Sequence, residues 1–357
     1  MRIESILPAQ ITFQTGVIMR RLNAFLLGIF MAFGIAAGGV GVSSSVSADA
    51  EGREVYVGGM PAGFTLSAGG AQVIGLSEVM NDKGVSCPAA DAGIRTGDVI
   101  VKAAGIQVET VGDLNEILGR SKGKAVGLEI RRGDSETEIS VTPVKDKVTG
   151  KYKIGVLIRD SVSGIGTVTY IDKQTKRFGS LGHSVVGEDH REMKIAGGKV
   201  YECSIVGVSK GVRGKAGELR GMFLSEGGIG KAEKLCDCGI YGQVNESYEL
   251  SGLQSVYTSD IDEVQPGDAY IYSTVSGVCP KKYTIDIVKV DKNNKSNKNF
   301  VIKITDKELI SETGGIVQGM SGSPILQDGK LVGAVTHVFL NDPTRGYGID
   351  INTMLKE

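Results

Sequence analysis

The sequence predicts a mainly β protein built from many short strands. Its 357 residues are enough for two or three domains with a sizeable core, and they include 52 glycines but no tryptophan. Long runs with helical periodicity are few, whereas short apolar runs separated by glycines and polar turns recur along the chain. A closed or sandwiched antiparallel β structure is the natural architecture for such strands.

Composition excludes several classes of function. A net charge of −1 supplies no basic face for a nucleic acid. The five cysteines are scattered, and the one close pair, Cys236 and Cys238, has neither the C-x-x-C spacing nor that of half a zinc finger. There are three histidines and no His-Glu-x-x-His motif. We therefore predict no metal site and no cofactor.

The N-terminal segment carries a targeting signal. Arg20 and Arg21 precede a run without charge that extends from Leu22 to Ala48. Positive charges before an apolar segment keep its N-terminus in the cytoplasm and send the following chain across the membrane. We predict that residues 1–48 are a signal or membrane-anchor segment and that the rest is exported, either anchored or released.

A first folded unit is predicted over residues 54–145. A strand at Val73–Leu76, an amphipathic helix at Val111–Leu118 and a terminal hairpin at 125–141 surround the phrase Ala92-Gly93-Ile94-Arg95-Thr96-Gly97-Asp98-Val99-Ile100. This order resembles a PDZ domain of the bacterial protease type. Such domains add an extended peptide to a sheet edge, or serve only as an internal clamp. The resemblance places the peptide-binding loop at Gly63, Phe64, Thr65 and Leu66.

The chain from Gly150 onward is rich in strands. Val168 and Tyr170 alternate with polar residues before a polar turn at 172–176, and Phe178 and Leu181 follow it, which is typical of a β-hairpin. His183 is thereby predicted at the end of a strand, beside glycines.

A serine between glycines is the centre of the predicted active site. Gly319 and Gly322 around Ser321 let the backbone turn tightly, leave the Oγ uncrowded and can direct N–H groups at an oxyanion, for which we predict the backbone of Gly319 and Ser321. A strand, an Asp328-Gly329 turn and a second strand are predicted to follow. The setting resembles the Gly-Asp-Ser-Gly-Gly-Pro loop of chymotrypsin-like serine peptidases.

A serine nucleophile needs a histidine base that a carboxylate orients. His337 lies within an apolar strand, where we expect a packed or hydrogen-bonded core residue, and His190 lies among charges, so His183 is the predicted base. Spacing alone does not choose among the aspartates between His183 and Ser321, which include Asp189, Asp260, Asp262, Asp268, Asp286, Asp291 and Asp306.

The motifs together resemble one family. With the PDZ unit, they are Phe178–His183, Ile304–Asp306, Thr313–Pro324 and Gly333–Phe339. In these the chain is similar to the S55 peptidases of the stage IV sporulation protein B type, over nearly everything after residue 54. The resemblance implies a PDZ domain followed, over 150–357, by a chymotrypsin-like antiparallel double β-barrel. It makes Ser321 the nucleophile, His183 the general base and Asp306 the orienting carboxylate.

The resemblance also implies a biological role. Such proteins are serine endopeptidases of sporulation that reach the space between forespore and mother cell, cleave themselves, and clip a membrane-bound regulator of an intramembrane metalloprotease, which activates a sigma factor. The PDZ domain would hold the peptidase inactive in cis or direct it to its substrate. The alternative is a catalytically inactive PDZ-containing scaffold of the spore envelope. Catalysis is favoured because all three polar positions of the triad are chemically intact.

Overall fold

A computed structural model describes residues 52–181, 195–224 and 228–357. The prediction for residues 1–48 lies outside this part of the chain. None of the helices in the described ranges combines the length and apolar character that crossing a bilayer requires. The described chain is mainly β, as predicted.

The elements follow one another in three groups. The first group is β1 Glu54–Val57, β2 Pro61–Leu76, β3 Val79–Asn81, β4 Gly84–Ser86, α1 Pro88–Asp91, β5 Val99–Ala103, β6 Ile106–Gln107, α2 Val111–Ser121, β7 Val126–Arg132, β8 Ser135–Val141, β9 Val144–Lys145 and β10 Tyr152–Lys153. The second is β11 Val156–Asp172, β12 Arg177–Leu181, β13 Gly197–Ser209, β14 Glu218–Phe223, β15 Gly230–Cys236, β16 Gly239–Val244 and β17 Ser255–Tyr257. The third is β18 Gly267–Ser273, β19 Lys281–Val290, β20 Phe300–Ile304, α3 Lys307–Thr313, β21 Pro324–Gln327, β22 Lys330–Phe339, β23 Asp342–Asp350 and α4 Ile351–Met354.

Six antiparallel strands close the first barrel. The ring runs β2, β11, β12, β16, β15 and β13, and β13 pairs back with β2. Alternate residues of β2, among them Phe64 and Leu66, point into its apolar core. β1 lies outside the ring, paired with β11 and β17.

The second barrel is closed by β18, β19, β20, β23, β22 and β21. Its core is filled by alternate strand residues such as Ile271, Tyr283, Phe300 and Val335. The turn between β21 and β22 is the predicted Asp328-Gly329 pair, with φ of +49° and +80°, which matches the twist of a tight hairpin. The two barrels confirm the predicted chymotrypsin-like double-barrel fold.

The PDZ domain is an insertion in the first barrel. β2 and β11 pair antiparallel over nearly their whole lengths, from Pro61 opposite Thr167 to Leu76 opposite Val156. The first half of β2 and the second half of β11 belong to the barrel. The second half of β2 and the first half of β11 join β5, β7 and β8 around the PDZ core. The change of domain coincides with an irregularity in the pairing at Arg159–Ser161 and with positive φ at Gly69 and Gly70.

This topology corrects two sequence predictions. The PDZ core begins near Ala71 and ends near Ile158, so β1 and the first half of β2 belong to the peptidase barrel and not to a unit spanning 54–145. Residues Gly63–Leu66 form a strand and not a loop, and their backbones pair with β11 on one side and β13 on the other. They therefore have no free edge for a peptide carboxylate.

The predicted PDZ helix and hairpin are confirmed. α2 begins with a capping box, in which the Thr110 hydroxyl accepts from the Asp113 N–H and the Asp113 carboxylate accepts from the Thr110 N–H. The hairpin consists of β7 and β8.

A buried ion pair ties the hairpin to the rest of the PDZ domain. The side chain of Asp98 is 1% exposed and accepts two hydrogen bonds of 2.7 Å from Arg132 and one of 2.8 Å from the Arg95 N–H. Burial acts to raise the pKa of Asp98, but these hydrogen bonds outweigh it, and the pKa lies below its usual value.

We predict that Asp98→Asn lowers the free energy of unfolding by about 1.5–3 kcal/mol at pH 7, because it removes charge-assisted hydrogen bonds. A carboxyl whose pKa is lower in the folded state stabilises the folded protein at pH values above its unfolded-state pKa of about 3.9. This stabilisation is lost as pH falls through the folded-state pKa. Urea unfolding at pH 7 and at about pH 2.5 should show the difference shrinking on acidification. The control Asp82→Asn, at an exposed pair with Lys147, should change stability by less than about 0.5 kcal/mol. Equal losses in both variants would contradict the prediction.

Candidate active site

The loop that carries Ser321 connects α3 with β21. Gly319 has φ of +98° and Gly322 has φ of +94°, a conformation that glycine adopts without strain. A Cβ on Gly322 would lie 2.1 Å from the carbonyl oxygen of Thr167 and 2.6 Å from the backbone nitrogen of Leu181. Glycine is therefore required at 322 by close approach as well as by backbone conformation.

Two threonines of β11 hold this loop. The Thr167 N–H donates to the carbonyl of Ser321 at 3.1 Å, and the Thr167 hydroxyl donates to the carbonyl of Gly319 at 2.7 Å. The buried Thr169 hydroxyl donates to the carbonyl of Gly322 at 2.8 Å. The serine loop of the second barrel is thus fixed by a strand of the first.

The two serines of the loop have different environments. The Oγ of Ser321 donates to the carbonyl of Thr336 at 2.7 Å, and its side chain is half-buried. Ser323 is 0% exposed, and its Oγ donates to the Ser273 hydroxyl at 3.0 Å. Of these two serines, Ser321 lines the cavity beside the loop and Ser323 does not.

The predicted oxyanion donors are unengaged within the described ranges. The N–H groups of Met320, Gly322 and Ser323 donate to carbonyls of Val317, Val335 and Met320. No carbonyl of the described residues accepts from the N–H of Gly319 or Ser321. Both groups can therefore donate to a substrate oxygen.

A cavity of about 490 Å³ opens beside Ser321 and is lined from both barrels. Its polar lining consists of Gln318, Ser321, Thr336 and His337, and none of the described residues around it is an Asp, Glu, Lys or Arg. The rest is apolar and includes Phe64, Leu66, Ile165, Leu181, Ile316 and Val338. Such a lining favours an apolar ligand group.

The histidines are placed as follows. His183 and His190 lie outside the described residues, although Leu181, two positions before His183, lines the cavity. The expectation that His337 is a core residue is wrong: its side chain is exposed and lines the cavity with Ser321. Pairing of β22 with β23 shifts between Val335 and Val338, so the inward alternation of β22 does not continue to His337.

Asp306 is the N-cap of α3. One carboxylate oxygen accepts from the Leu309 N–H at 3.0 Å, and the other accepts from the Thr284 N–H at 3.4 Å. Asp306 is not among the described residues that line the cavity. The structure thus shows a capping role, and the orienting role stays a prediction.

A second groove lies in the PDZ domain, between α2 and the first residues of β11. A cavity of about 550 Å³ is lined by Val111, Leu114 and Leu118 of the helix and by Val156–Ile158 of the strand. Over Val156–Arg159, β11 pairs only with β2 among the described strands, so the edge toward α2 is open. The side chain of Leu157 is 51% exposed.

Sequence reasoning missed this groove. The sequence feature that could have indicated it is Ile154-Gly155-Val156, a glycine between apolar residues at the start of a strand. In the structure this glycine has a φ of +83°, a conformation that favours glycine. An open edge beside an amphipathic helix is the geometry with which PDZ domains bind peptides.

Two antiparallel barrels that meet at a glycine-flanked serine, with a PDZ domain inserted in the first, define the class of PDZ-containing peptidases of chymotrypsin-like fold. A family model for SpoIVB peptidase S55 matches residues 150–355, and a PDZ domain model matches residues 72–142. The chain belongs to the SpoIVB peptidase S55 family.

Similarity to curated proteins is partial. A protein of Clostridium perfringens named as a zinc metalloprotease is 33% identical over 94 residues, covering 26% of this chain and 26% of that protein. A protein of Mesorhizobium japonicum with the same description is 27% identical over 143 residues, covering 37% of this chain and 39% of that protein. The chain thus spans well under half the length of these relatives.

One solved structure with similarity is the PDZ domain of an SdrC-like protein from Listeria monocytogenes. It is 23% identical, with a TM-score of 0.21, and the alignment covers 25% of this chain and 87% of that domain.

We predict that Gly322→Ala destabilises the serine loop far more than a glycine substitution with the same backbone conformation elsewhere. The matched control is Gly329→Ala, which has φ of +80° and no atom within 4 Å of the added Cβ. Strain at positive φ should cost each variant about 1–2 kcal/mol. Only Gly322→Ala also forces Thr167 away, and overpacking should add about 1–3 kcal/mol. Urea unfolding measures both, and equal losses would show that the loop is not held as described.

Proposed function

We propose that this protein is a serine endopeptidase with Ser321 as its nucleophile. The observation that carries the proposal is the half-buried Ser321 residue at an apolar cavity, beside the two N–H groups that no carbonyl of the described residues engages. The loop that carries them is held by β11. The family model supports a peptidase in general. The serine type of the mechanism is our proposal.

The proposed chemistry is acyl transfer. The Ser321 hydroxyl exchanges its bond to the Thr336 carbonyl for one to His183, which takes the proton as the oxygen attacks the peptide carbonyl. The oxyanion accepts from the N–H groups of Gly319 and Ser321. His183 then protonates the leaving amine, and water releases the acyl group by the same steps.

The cavity supports a preference for apolar substrate side chains next to the cleaved bond. Its described lining offers no charged side chain to pair with a charged group, and burying such a group unpaired is costly. A pocket of this kind separates apolar from charged substrates strongly, but it separates apolar side chains of similar size weakly.

The PDZ groove supports an extended peptide as a second ligand. The open edge of β11 can add a strand, and the exposed Leu157 and the α2 side chains can receive alternate side chains of that peptide. The occupant is a protein substrate or a segment of this chain.

We further propose the biological role that the family suggests. The protein is exported by its apolar N-terminal segment, cleaves itself, and clips a membrane-bound regulator of an intramembrane metalloprotease during sporulation. Membership of the SpoIVB peptidase S55 family and the Arg20-Arg21 signal support this role. The competing function, an inactive scaffold that binds through its PDZ domain, draws support from the capping role of Asp306.

The central test compares two serines of one loop. We predict that Ser321→Ala melts normally but loses peptide cleavage and labelling by a fluorophosphonate, since it removes only the nucleophile. Ser323→Ala should lose about 1–2 kcal/mol of stability with its buried hydrogen bond, yet keep turnover. His183→Ala should be as inactive as Ser321→Ala. Because the base must be deprotonated to act, wild-type activity should rise as pH increases through about 6.5–7. Cleavage by Ser321→Ala, or loss of turnover only in Ser323→Ala, would refute the assignment.

A second test separates the two roles of Asp306. Asparagine is as good an N-cap as aspartate, so Asp306→Asn should change stability by only a few tenths of a kcal/mol. If Asp306 also orients His183, the same change should lower single-turnover cleavage by roughly 10⁴-fold, because the amide favours the wrong tautomer. Asp306→Ala serves as the capping control and should cost about 0.5–2 kcal/mol. Normal cleavage by Asp306→Asn would leave Asp306 as a cap alone.

A further inference from the structure

Two thiols approach each other at the turn between β15 and β16. Cys236 ends β15 and pairs with Gly239, the first residue of β16, so Asp237 and Cys238 form a two-residue turn. The Sγ atoms of Cys236 and Cys238 are 3.1 Å apart. A disulfide requires about 2.05 Å, so a movement of about 1 Å would bring the sulfurs to bonding distance.

The two thiols differ in accessibility. Cys238 is 4% exposed, and burial raises its pKa to about 12, whereas Cys236 is half-buried. A reagent from solvent therefore meets Cys236 first. Cys236 is therefore the thiol that can attack an external disulfide. Cys238, with its sulfur 3.1 Å away, is placed to displace the mixed disulfide that results.

The surroundings favour a disulfide over a metal ion. A carboxylate oxygen of Glu357 lies within 4.8 Å of both sulfurs and is the third possible ligand. However, the Lys234 ammonium forms an ion pair with this carboxylate, which also accepts hydrogen bonds from both thiols. Among the described residues the two thiols have no third ligand that is free of an ion pair, whereas zinc sites use three or four protein ligands.

We propose that Cys236 and Cys238 form a thiol–disulfide exchange site whose co-substrate is a small-molecule disulfide. The Cys236 thiolate attacks one sulfur of that disulfide, forms a mixed disulfide and expels one thiolate. Cys238, which is protonated before this step, then loses its proton as its sulfur attacks the Cys236 sulfur and expels the second thiolate of the co-substrate. The cysteines lose two protons and two electrons, and the co-substrate is reduced to two thiols.

The site lies where the two barrels meet. Cys238 belongs to a buried cluster with Tyr170 and Tyr241 of the first barrel and with Leu326, Leu331 and Met354 of the C-terminal region. The Asn297 amide, from the loop between β19 and β20, donates to the carbonyl of Asp237 at 3.1 Å. The exchange site is separate from the Ser321 loop and does not depend on the proposed peptidase activity.

The test equilibrates the full-length protein with mixtures of reduced and oxidised glutathione, followed by acid quenching, alkylation of free thiols and peptide mass spectrometry. Oxidation should remove two of the five thiols. The peptide containing residues 236–238 should be unalkylated and lighter by two hydrogens. In Cys236→Ser, which changes the half-buried thiol, this peptide should never form an internal disulfide. The matched control Cys279→Ser, at an exposed lone cysteine, should behave as wild type.

Three results would overturn the proposal. The first is full alkylation of both thiols even in fully oxidised glutathione. The second is pairing of either thiol with another cysteine of the chain. The third is protection of both thiols by one equivalent of Zn²⁺ that a chelator reverses, with no internal disulfide, which would make the cluster a metal site.

Discussion

The antiparallel pairing of β2 with β11 is the constraint on which the rest of the structure depends. One half of this pair closes the first barrel, and the other half is part of the PDZ sheet. The barrel half of β11 supplies Thr167 and Thr169, which hold the serine loop, while its first residues form the open edge of the PDZ groove. The PDZ groove and the loop of the candidate nucleophile are therefore both built on β11.

The serine loop achieves its geometry through positive-φ glycines and hydrogen bonds from another barrel. Its carbonyls at Gly319, Ser321 and Gly322 are satisfied by β11, and its N–H groups at Met320, Gly322 and Ser323 are satisfied locally or by β22. These bonds also fix the N–H groups of Gly319 and Ser321, the proposed oxyanion donors. Donors that are already in position need no reorganisation when charge develops on a substrate, which is the basis of electrostatic stabilisation in acyl transfer. Ser323 and Ser273 bury a hydrogen bond beneath the loop and support it from within the second barrel.

Features with local signals were predictable from the sequence. The Asp328-Gly329 hairpin, helix α2, the β7–β8 hairpin and the glycine-flanked serine each depend on a few adjacent residues, and the structure contains all of them. Features set by distant pairing were not predictable. Phe64 and Leu66 alternate as in any strand, and nothing nearby in sequence shows that their partners are β11 and β13. His337 was misjudged because a register shift in β22 ends the alternation, and the groove was missed because β11 follows α2 by more than thirty residues.

The insertion also bears on how the first barrel can form. Its strands β2 and β11 meet at Ser67 and Ser161, which are separated by roughly 90 residues of chain. Closing a flexible loop of that length costs about 4 kcal/mol of chain entropy. The PDZ domain has its own core, and in the folded chain it holds these two strand ends side by side. The ordered insert thus does for this distant strand pairing what a tight turn does for a hairpin, and the irregularity at Arg159–Ser161 resets the pairing register where the barrel begins.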